Sequence, residues 1–290
     1  MPIDPPSLDD LRRRIDQLDE AMQDVLIHRA EVVGAVARVK QADGASPLRP
    51  GREAQILRRL MVRHRGPFPR AMVARIWREL LSGAIAMQAE MHVAVYAPAD
   101  APGFWDLARD QYGSQTAMTG FRTAGEVVGA VSNGRATLGV LPVPGRGEVE
   151  AWWRLLTPGD IPKPRIFARL PFGARGNARE SGDAFVIGAI EPEPSGIDRS
   201  LYMIETAKDL SRTRVPAALS GAGLGATALA STAMPGDSIA QLIEFEGWIL
   251  ADDTRLEDAL RSLGGTVLRA ASLGGYAQPL TIAELGGAGT

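Results

Sequence analysis

Apolar residues recur at alternating intervals of three and four along the first forty residues of the chain. They occupy positions Leu8, Leu11, Ile15, Leu18, Met22, Val25, Val32, Val36 and Val39. This spacing is typical of the apolar face of a long helix that packs against other helices. We expect this helix to end near Asp43-Gly44, with Pro47 beyond it.

One position of this apolar face carries a cation. Arg29 lies where another aliphatic residue would continue the pattern, and Lys40 follows about three helical turns later. Both cations therefore lie on roughly one face of the helix. Two cations that face a helical interior need an anion, so the pattern predicts an anionic ligand.

Two further helices are predicted before residue 92. The second helix spans about residues 51–64, and the Gly66-Pro67-Phe68-Pro69 segment ends it. The third helix spans about residues 70–91, and Gln88 falls on its inward face, four residues after Ala84. The predicted order is a very long helix, a short helix and a long helix.

After Met91 short apolar strands alternate with helices. We expect strands at residues 93–96, 136–143 and 185–188, a further strand that ends near Phe121, and helices at 104–111 and directly after that strand. This alternation is typical of a mostly parallel sheet in an α/β region.

The last hundred residues show a different order of elements after the linker-like segment 191–196. Strands are predicted at 200–206, 225–231, 238–247 and 267–273, and helices at 216–222 and 256–263. The order strand-helix-strand-strand-helix-strand is ferredoxin-like. The fold class is therefore multi-domain, with an all-α first part, an α/β second part and an α+β third part.

Composition excludes several classes of function. The net charge is −2 with 23% charged residues, so we expect neither a nucleic-acid partner nor binding to an anionic membrane. The absence of cysteine excludes disulfides and thiolate chemistry and fits a reducing cytoplasm. No signal segment or long apolar run is recognisable, so a soluble, cytoplasmic protein is expected. Neither metal-ligand spacing among His28, His64 and His92 nor a nucleotide motif occurs, so no metal or cofactor is predicted.

The polar residues of the first ninety positions resemble those of the all-helical chorismate mutases. The resemblance rests on residues 11–19, followed by Arg29, Lys40, the Arg52-Glu53 pair and Gln88. It implies an intertwined homodimer that rearranges chorismate to prephenate. Geometry independently favours a dimer, because Arg12 lies about 25 Å from Arg29 along one helix. A small dianion cannot contact both from one chain.

The resemblance also implies roles for individual residues. Arg12 from a partner chain and Arg29 would bind the two carboxylates of the substrate. Lys40 and Gln88 would donate to the ether oxygen as its bond breaks, and Glu53 would accept from the ring hydroxyl. A pericyclic rearrangement of this kind requires only a compact conformer and stabilised charge.

Three further positions of the substrate pocket follow from the same resemblance. Arg52 would add positive potential at its wall. Ala84 stands where the family usually has serine, and Pro50 stands where it often has aspartate. These two departures imply weaker substrate binding with catalysis retained.

The α/β region resembles the first lobe of prephenate dehydratase. Gly139-Val140-Leu141-Pro142 matches one of its strands, but Val143-Pro144-Gly145-Arg146 replaces the acidic-Asn-Ser motif that follows. The second lobe and its Thr-Arg-Asp-Thr-type motif are not recognisable in the sequence. We therefore expect a non-catalytic remnant, in which Arg165 and Arg169 would line a cleft if one is retained.

The last region resembles the ACT-type amino-acid sensor that follows prephenate dehydratase. Glu244-Phe245-Glu246-Gly247 and Leu273-Gly274-Gly275-Tyr276 carry this resemblance. The segments 215–219 and 230–232 depart from the phenylalanine-binding signatures. The region is expected either to bind an aromatic amino-acid effector or to act as a dimerisation surface.

The sequence thus predicts three domains, at residues 1–91, 92–190 and 191–290. The favoured function is a chorismate mutase of aromatic amino-acid biosynthesis with a non-catalytic C-terminal half. One alternative is a bifunctional mutase–dehydratase. The other is a non-catalytic regulatory subunit that binds an aromatic metabolite or a partner enzyme.

Overall fold

A computed structural model describes residues 6–42, 46–145, 150–158 and 163–287. The chain divides into two compact units, one of residues 1–47 with 84–90 and one of residues 48–83 with 91–290. The predicted helix end near Asp43-Gly44 lies outside the described residues, as does Arg146.

The helices and strands follow the predicted order, with three additions. The helices are α1 (Leu8–Ala42), α2 (Pro50–Arg63), α3 (Arg70–Ala86), α4 (Gly103–Tyr112), α5 (Ala124–Ser132), α6 (Arg214–Gly221) and α7 (Thr254–Ser262). The strands are β1 (His92–Tyr96), β2 (Ala117–Phe121), β3 (Leu138–Pro142), β4 (Arg165–Leu170), β5 (Ala184–Gly188), β6 (Asp198–Ala207), β7 (Ala226–Met234), β8 (Ser238–Glu246) and β9 (Val267–Ala277). Short 3₁₀ helices span Trp152–Leu156 and Gly264–Thr266. Strand β4 and both 3₁₀ helices were not predicted.

Helix α1 starts with a reciprocal cap. The backbone N–H of Asp10 donates to Ser7 Oγ, and the backbone N–H of Ser7 donates to the Asp10 carboxylate, both at 3.2 Å. The predicted apolar face of α1 lies on the surface of the protomer, where Leu18 is 59% and Val25 is 67% exposed. A single protomer therefore leaves the apolar side of its longest helix uncovered.

The nine strands form one sheet in the order β2-β1-β3-β5-β4-β9-β6-β8-β7. Strand β1 pairs in parallel with β2 and β3, as predicted. Strand β5 runs antiparallel to both β3 and β4, so the α/β region is mixed and the prediction of a mostly parallel sheet was only partly right. The reason lies in residues 171–183, which connect β4 to β5 and form no helix. Two parallel strands need a long crossover connection, usually a helix, so β5 instead runs antiparallel to β4.

The ferredoxin-like prediction is confirmed by the last four strands. Strand β6 pairs antiparallel with β8 and β9, and β7 pairs antiparallel with β8. Helices α6 and α7 pack on one face of these strands around Tyr202, Ile243 and Phe245. The segment therefore folds as strand-helix-strand-strand-helix-strand.

The two halves of the sheet meet where β4 pairs with β9 at Ile166 and Gly274. Gly274 has a φ of +129°, and a side-chain carbon there would collide with the carbonyl oxygen of Ile166. The strand therefore needs glycine at this point. The sheet is continuous across the predicted boundary between residues 190 and 191, and that boundary stays a prediction.

The other face of the ferredoxin-like strands packs against the first 3₁₀ helix. Trp152, Trp153 and Leu156 are buried together with Leu201 and Leu242 of β6 and β8. The indole N–H of Trp152 also donates to the carbonyl of Pro142 at 3.2 Å. This short segment therefore joins the end of β3 to the last strands.

Helices α2 and α3 pack on the ends of the central strands. Their buried face shares one core cluster with Phe172, Ala277 and Leu280. Arg58 of α2 donates to the carbonyls of Ile197, at 3.2 Å, and Gln278, at 2.6 Å. These helices therefore belong to the same core as the sheet.

We expect Trp152→Ala to lower the free energy of unfolding by about 3–5 kcal/mol, because it removes a fully buried indole and leaves a cavity. Urea denaturation of the full-length protein measures this. Leu155 lies on the same 3₁₀ helix and is 48% exposed, so Leu155→Ala is the matched control and should cost far less. Equal losses for the two variants would contradict the assigned packing.

Candidate active site

Two of the predicted site residues lie on the second half of α1. Arg29 and Lys40 are both half-buried, whereas Arg12 near the start of the helix is exposed beside Asp9. Lys40 lies in the last turn, and its Nζ donates to the carbonyls of Ser46, at 3.3 Å, and Pro47, at 3.4 Å. The chain after α1 therefore restricts the position of this amine.

Helix α3 ends at Ala86, so the predicted end at residue 91 was wrong. The backbone N–H of Gln88 donates to the carbonyl of Ile85, and its side-chain Nε2 donates to the carbonyl of Ala84, both at 2.8 Å. These bonds satisfy last-turn carbonyls that a longer helix would have bonded to its own backbone.

Gln88 remains half-buried beyond the helix end. A primary amide has two N–H donors, and the bond to Ala84 uses one of them. Its Oε1 is buried and has no hydrogen-bond partner within the described residues. Oε1 is therefore a buried acceptor that the described residues leave unsatisfied.

The remaining predicted residues lie on the first turn of α2, which begins at Pro50. Arg52 is exposed. Glu53 is half-buried and accepts from Nη1 of Arg78 on α3, at 2.8 Å. Only 13% of the Glu53 side chain and 9% of the Arg78 side chain are exposed, so this is a buried ion pair.

Arg78 has further neighbours. Its guanidinium carbon lies 4.9 Å from the centroid of the Phe172 ring. A cavity of about 20 Å³ beside the pair is lined by Glu53, Arg78 and Tyr112, among others. Burial lowers the pKa of Arg78, and the Glu53 carboxylate opposes this shift. Burial, followed by the Glu53 charge, raises the pKa of Tyr112, so its hydroxyl stays neutral.

The sequence interpretation missed Arg78. A usable signal was present, because Arg78 lies four residues after Ala74 and three before Leu81, and both of these are buried. An arginine at such a position needs an acidic partner. The identity of that partner depends on how α2 packs against α3, and residue spacing alone does not reveal this packing.

Arg29, Lys40, Ala84 and Gln88 belong to one compact unit, and Arg52 and Glu53 belong to the other. The structure brings Glu53 together with Arg78. That the predicted residues share one substrate pocket stays a prediction.

Of the two arginines considered for a cleft in the α/β region, Arg165 lines a cavity of about 370 Å³ together with Lys163 and Glu191. Arg165 donates to Ser272 Oγ at 3.0 Å. Arg169 pairs with Asp183 at 3.0 Å and donates to the hydroxyl of Tyr276 at 3.2 Å. Tyr276 in turn donates to Glu244, so these side chains link β4 to β8 and β9.

A larger cleft lies beside the edge strand β7 and the N-terminus of α6. It has a volume of about 760 Å³. Its lining includes Trp153, Arg212, Pro216, Gln241 and the segment 226–232. The two segments that depart from the phenylalanine-binding signatures therefore contribute to one cleft.

Within residues 6–42, 46–145, 150–158 and 163–287, no group of three or more histidine, aspartate or glutamate side chains could hold a metal ion. No helix in the described part of the chain combines the length and the apolar character that crossing a membrane requires. The cytoplasmic location stays a prediction.

Comparison with known proteins gives a match for the first part of the chain. Residues 11–89 match the family model of chorismate mutase type II. A bifunctional chorismate mutase/prephenate dehydratase of Pseudomonas aeruginosa is 34% identical over 138 residues, which cover 46% of this chain and 38% of that protein. The protein of the same description from Stutzerimonas stutzeri is 33% identical over 138 residues, which again cover 46% of this chain and 38% of that protein. The match thus spans well under half the length of these curated relatives.

Among solved structures, a prephenate dehydratase from Arthrobacter aurescens in complex with L-Phe aligns with a TM-score of 0.48. The identity is 13%, and the alignment covers 66% of this chain and 93% of that one. The match to the family model shows that this chain carries a chorismate mutase type II domain at residues 11–89. The strand order shows that an α/β region and a ferredoxin-like module follow it.

Proposed function

We propose that this protein is a chorismate mutase that converts chorismate to prephenate. The observation that carries the proposal is the match of residues 11–89 to the chorismate mutase type II family. Arg29, Lys40 and Gln88 all lie within the matched residues. The direct test follows the ultraviolet absorbance of chorismate with purified full-length protein, and unchanged absorbance would refute the proposal.

The residue types suit the reaction. Chorismate carries two carboxylates, and guanidinium groups bind carboxylates through paired N–H donors. Arg29 supplies one guanidinium, and the partner subunit's Arg12 supplies the second. The rearrangement is intramolecular, so the protein has to select the compact conformer of the substrate and stabilise charge in the transition state.

Negative charge develops on the ether oxygen as its bond to the ring breaks. Lys40 and Gln88 donate to this oxygen in the proposed mechanism. The carbonyls of Ser46 and Pro47 restrict the Lys40 amine, and the bond to Ala84 restricts the Gln88 amide. Donors held in place before the reaction stabilise a transition state without a reorganisation cost.

We expect Lys40→Ala to lower kcat by about 100- to 1000-fold, because one donor to the developing charge is lost. Circular dichroism should show that the helices remain. Lys208 is an exposed lysine that pairs with Asp237, so Lys208→Ala is the matched control and should retain the wild-type rate. A helical Lys40→Ala variant with near-normal turnover would remove Lys40 from the mechanism.

The proposal includes a homodimer formed through α1. The residues of the predicted apolar face of α1 are exposed in the protomer over the whole length of the helix, from Leu8 at 62% to Val39 at 64%. A continuous apolar face of this length favours association, because water is excluded when a second copy covers it. The 3.5-residue spacing is that of helices packed side by side.

We expect Met22→Glu to convert the dimer to a monomer, because it places a carboxylate in the middle of the apolar face. Light scattering after size exclusion measures the mass. Gln17→Glu adds the same charge to another face of α1 and should leave the dimer intact. A dimer that survives Met22→Glu at micromolar concentration would place the interface elsewhere.

A second candidate is a bifunctional mutase–dehydratase. The description of the curated relatives favours it. Against it, the described residues between β3 and β5 hold only one 3₁₀ helix and β4, which leaves little chain for a second lobe. Formation of phenylpyruvate from prephenate at neutral pH would favour the bifunctional enzyme, and its absence would favour the mutase alone.

The proposal also includes an aromatic amino acid as effector. The cleft beside β7 and α6 is large enough for such a ligand, and it is lined by Trp153 and Arg212. Calorimetric titration with phenylalanine, tyrosine and tryptophan tests this. No heat of binding from any of the three would refute it.

A further inference from the structure

We infer that Arg78 is a positioning residue for the mutase reaction, which fixes the carboxylate of Glu53 through an ion pair anchored on Phe172. The inference rests on the proposed function, in which Glu53 accepts a hydrogen bond from the substrate hydroxyl. Arg78 itself is not placed against the substrate.

The ion pair constrains Glu53 because it is short and largely shielded from water. Arg78 Nη1 lies 2.8 Å from Glu53 Oε2. The two side chains come from different helices, and both are mostly buried. Charges that are shielded from solvent interact more strongly than exposed ones, so the carboxylate is held towards Arg78. An exposed glutamate on the first turn of a helix would instead sample several rotamers.

Arg78 is held in turn by an aromatic ring. The Phe172 centroid lies 4.9 Å from the guanidinium carbon, a distance at which a cation is attracted to the face of the ring. Phe172 is itself buried, and its core cluster includes Ala54, which follows Glu53 in sequence. Phe172 therefore restrains Glu53 in two ways. Its ring attracts the Arg78 guanidinium that binds the Glu53 carboxylate, and it shares a core with the helix that carries Glu53.

Phe172 and Ala277 lie outside the residues that match the mutase family. Phe172 follows β4, and Ala277 ends β9. Both belong to the core cluster on which α2 and α3 pack. The position of Glu53 thus depends on the C-terminal half of the chain, even where that half performs no chemistry of its own.

Arg75 provides a matched control within the same helix. It lies three residues before Arg78 and pairs with Asp110 of α4 at 2.7 Å. Its side chain is 43% exposed, and its acidic partner is not a predicted site residue. Arg75→Met therefore removes the same charge and an ion pair of similar length, without altering the partner of Glu53.

The test is a double-mutant cycle on the full-length protein. Chorismate kinetics are measured for wild type, Arg78→Met, Glu53→Gln and the double variant, with urea denaturation of each. Arg78→Met should lower kcat/KM by about tenfold in the wild-type background and by less than about twofold in the Glu53→Gln background. Arg78→Lys should restore part of the activity, and Arg75→Met should retain it.

Equal losses from Arg78→Met in both backgrounds would overturn the inference, as would an equal loss from Arg75→Met. Should Arg78→Met fail to fold, Arg78→Lys and Phe172→Leu take its place in the same cycle. Wild-type protein without mutase activity would overturn the proposed function and the inference together. Active wild-type protein with additive losses would overturn the inference alone.

Discussion

The close approach of two backbones at Ile166 and Gly274 is the constraint on which the C-terminal part of the structure depends. Only a residue without a side-chain carbon allows β9 to pair with β4 there while it also pairs with β6. Because of this contact, the α/β strands and the ferredoxin-like strands form one sheet. The contact also brings Phe172, which follows β4, next to Ala277, which ends β9.

These two residues connect the sheet to the helical residues of the same compact unit. Helices α2 and α3 pack on Phe172 and Ala277 within one core, and Arg58 adds hydrogen bonds to the carbonyls of Ile197 and Gln278. The residues that match the mutase family are thus not held by their own helices alone. In this chain the α/β region and the ferredoxin-like module supply part of the core beneath the helix that carries Arg52 and Glu53.

Local patterns predicted most of the elements, and non-local packing decided what the patterns missed. The three-four spacing predicted α1, and the alternation of short elements predicted the ferredoxin-like order. The direction of β5 depends on a connection without a helix, so composition did not reveal it. The end of α3 depends on the Gln88 side chain bonding to Ala84, in a sequence without a glycine or proline stop signal. For the site, spacing and resemblance identified Glu53 but not its partner Arg78.

Because the apolar face of α1 is uncovered in the protomer, the stability and activity of the protein should depend on its concentration. A helix of 35 residues whose apolar side is in water gains little from folding alone, since most helical stability comes from packing. If a second copy supplies that packing, the folding of α1 and the association of the two copies form one coupled equilibrium. The midpoint of thermal unfolding would then rise with protein concentration, as mass action requires. Catalytic rates measured at nanomolar dilution would report the fraction of intact assemblies as well as the chemistry.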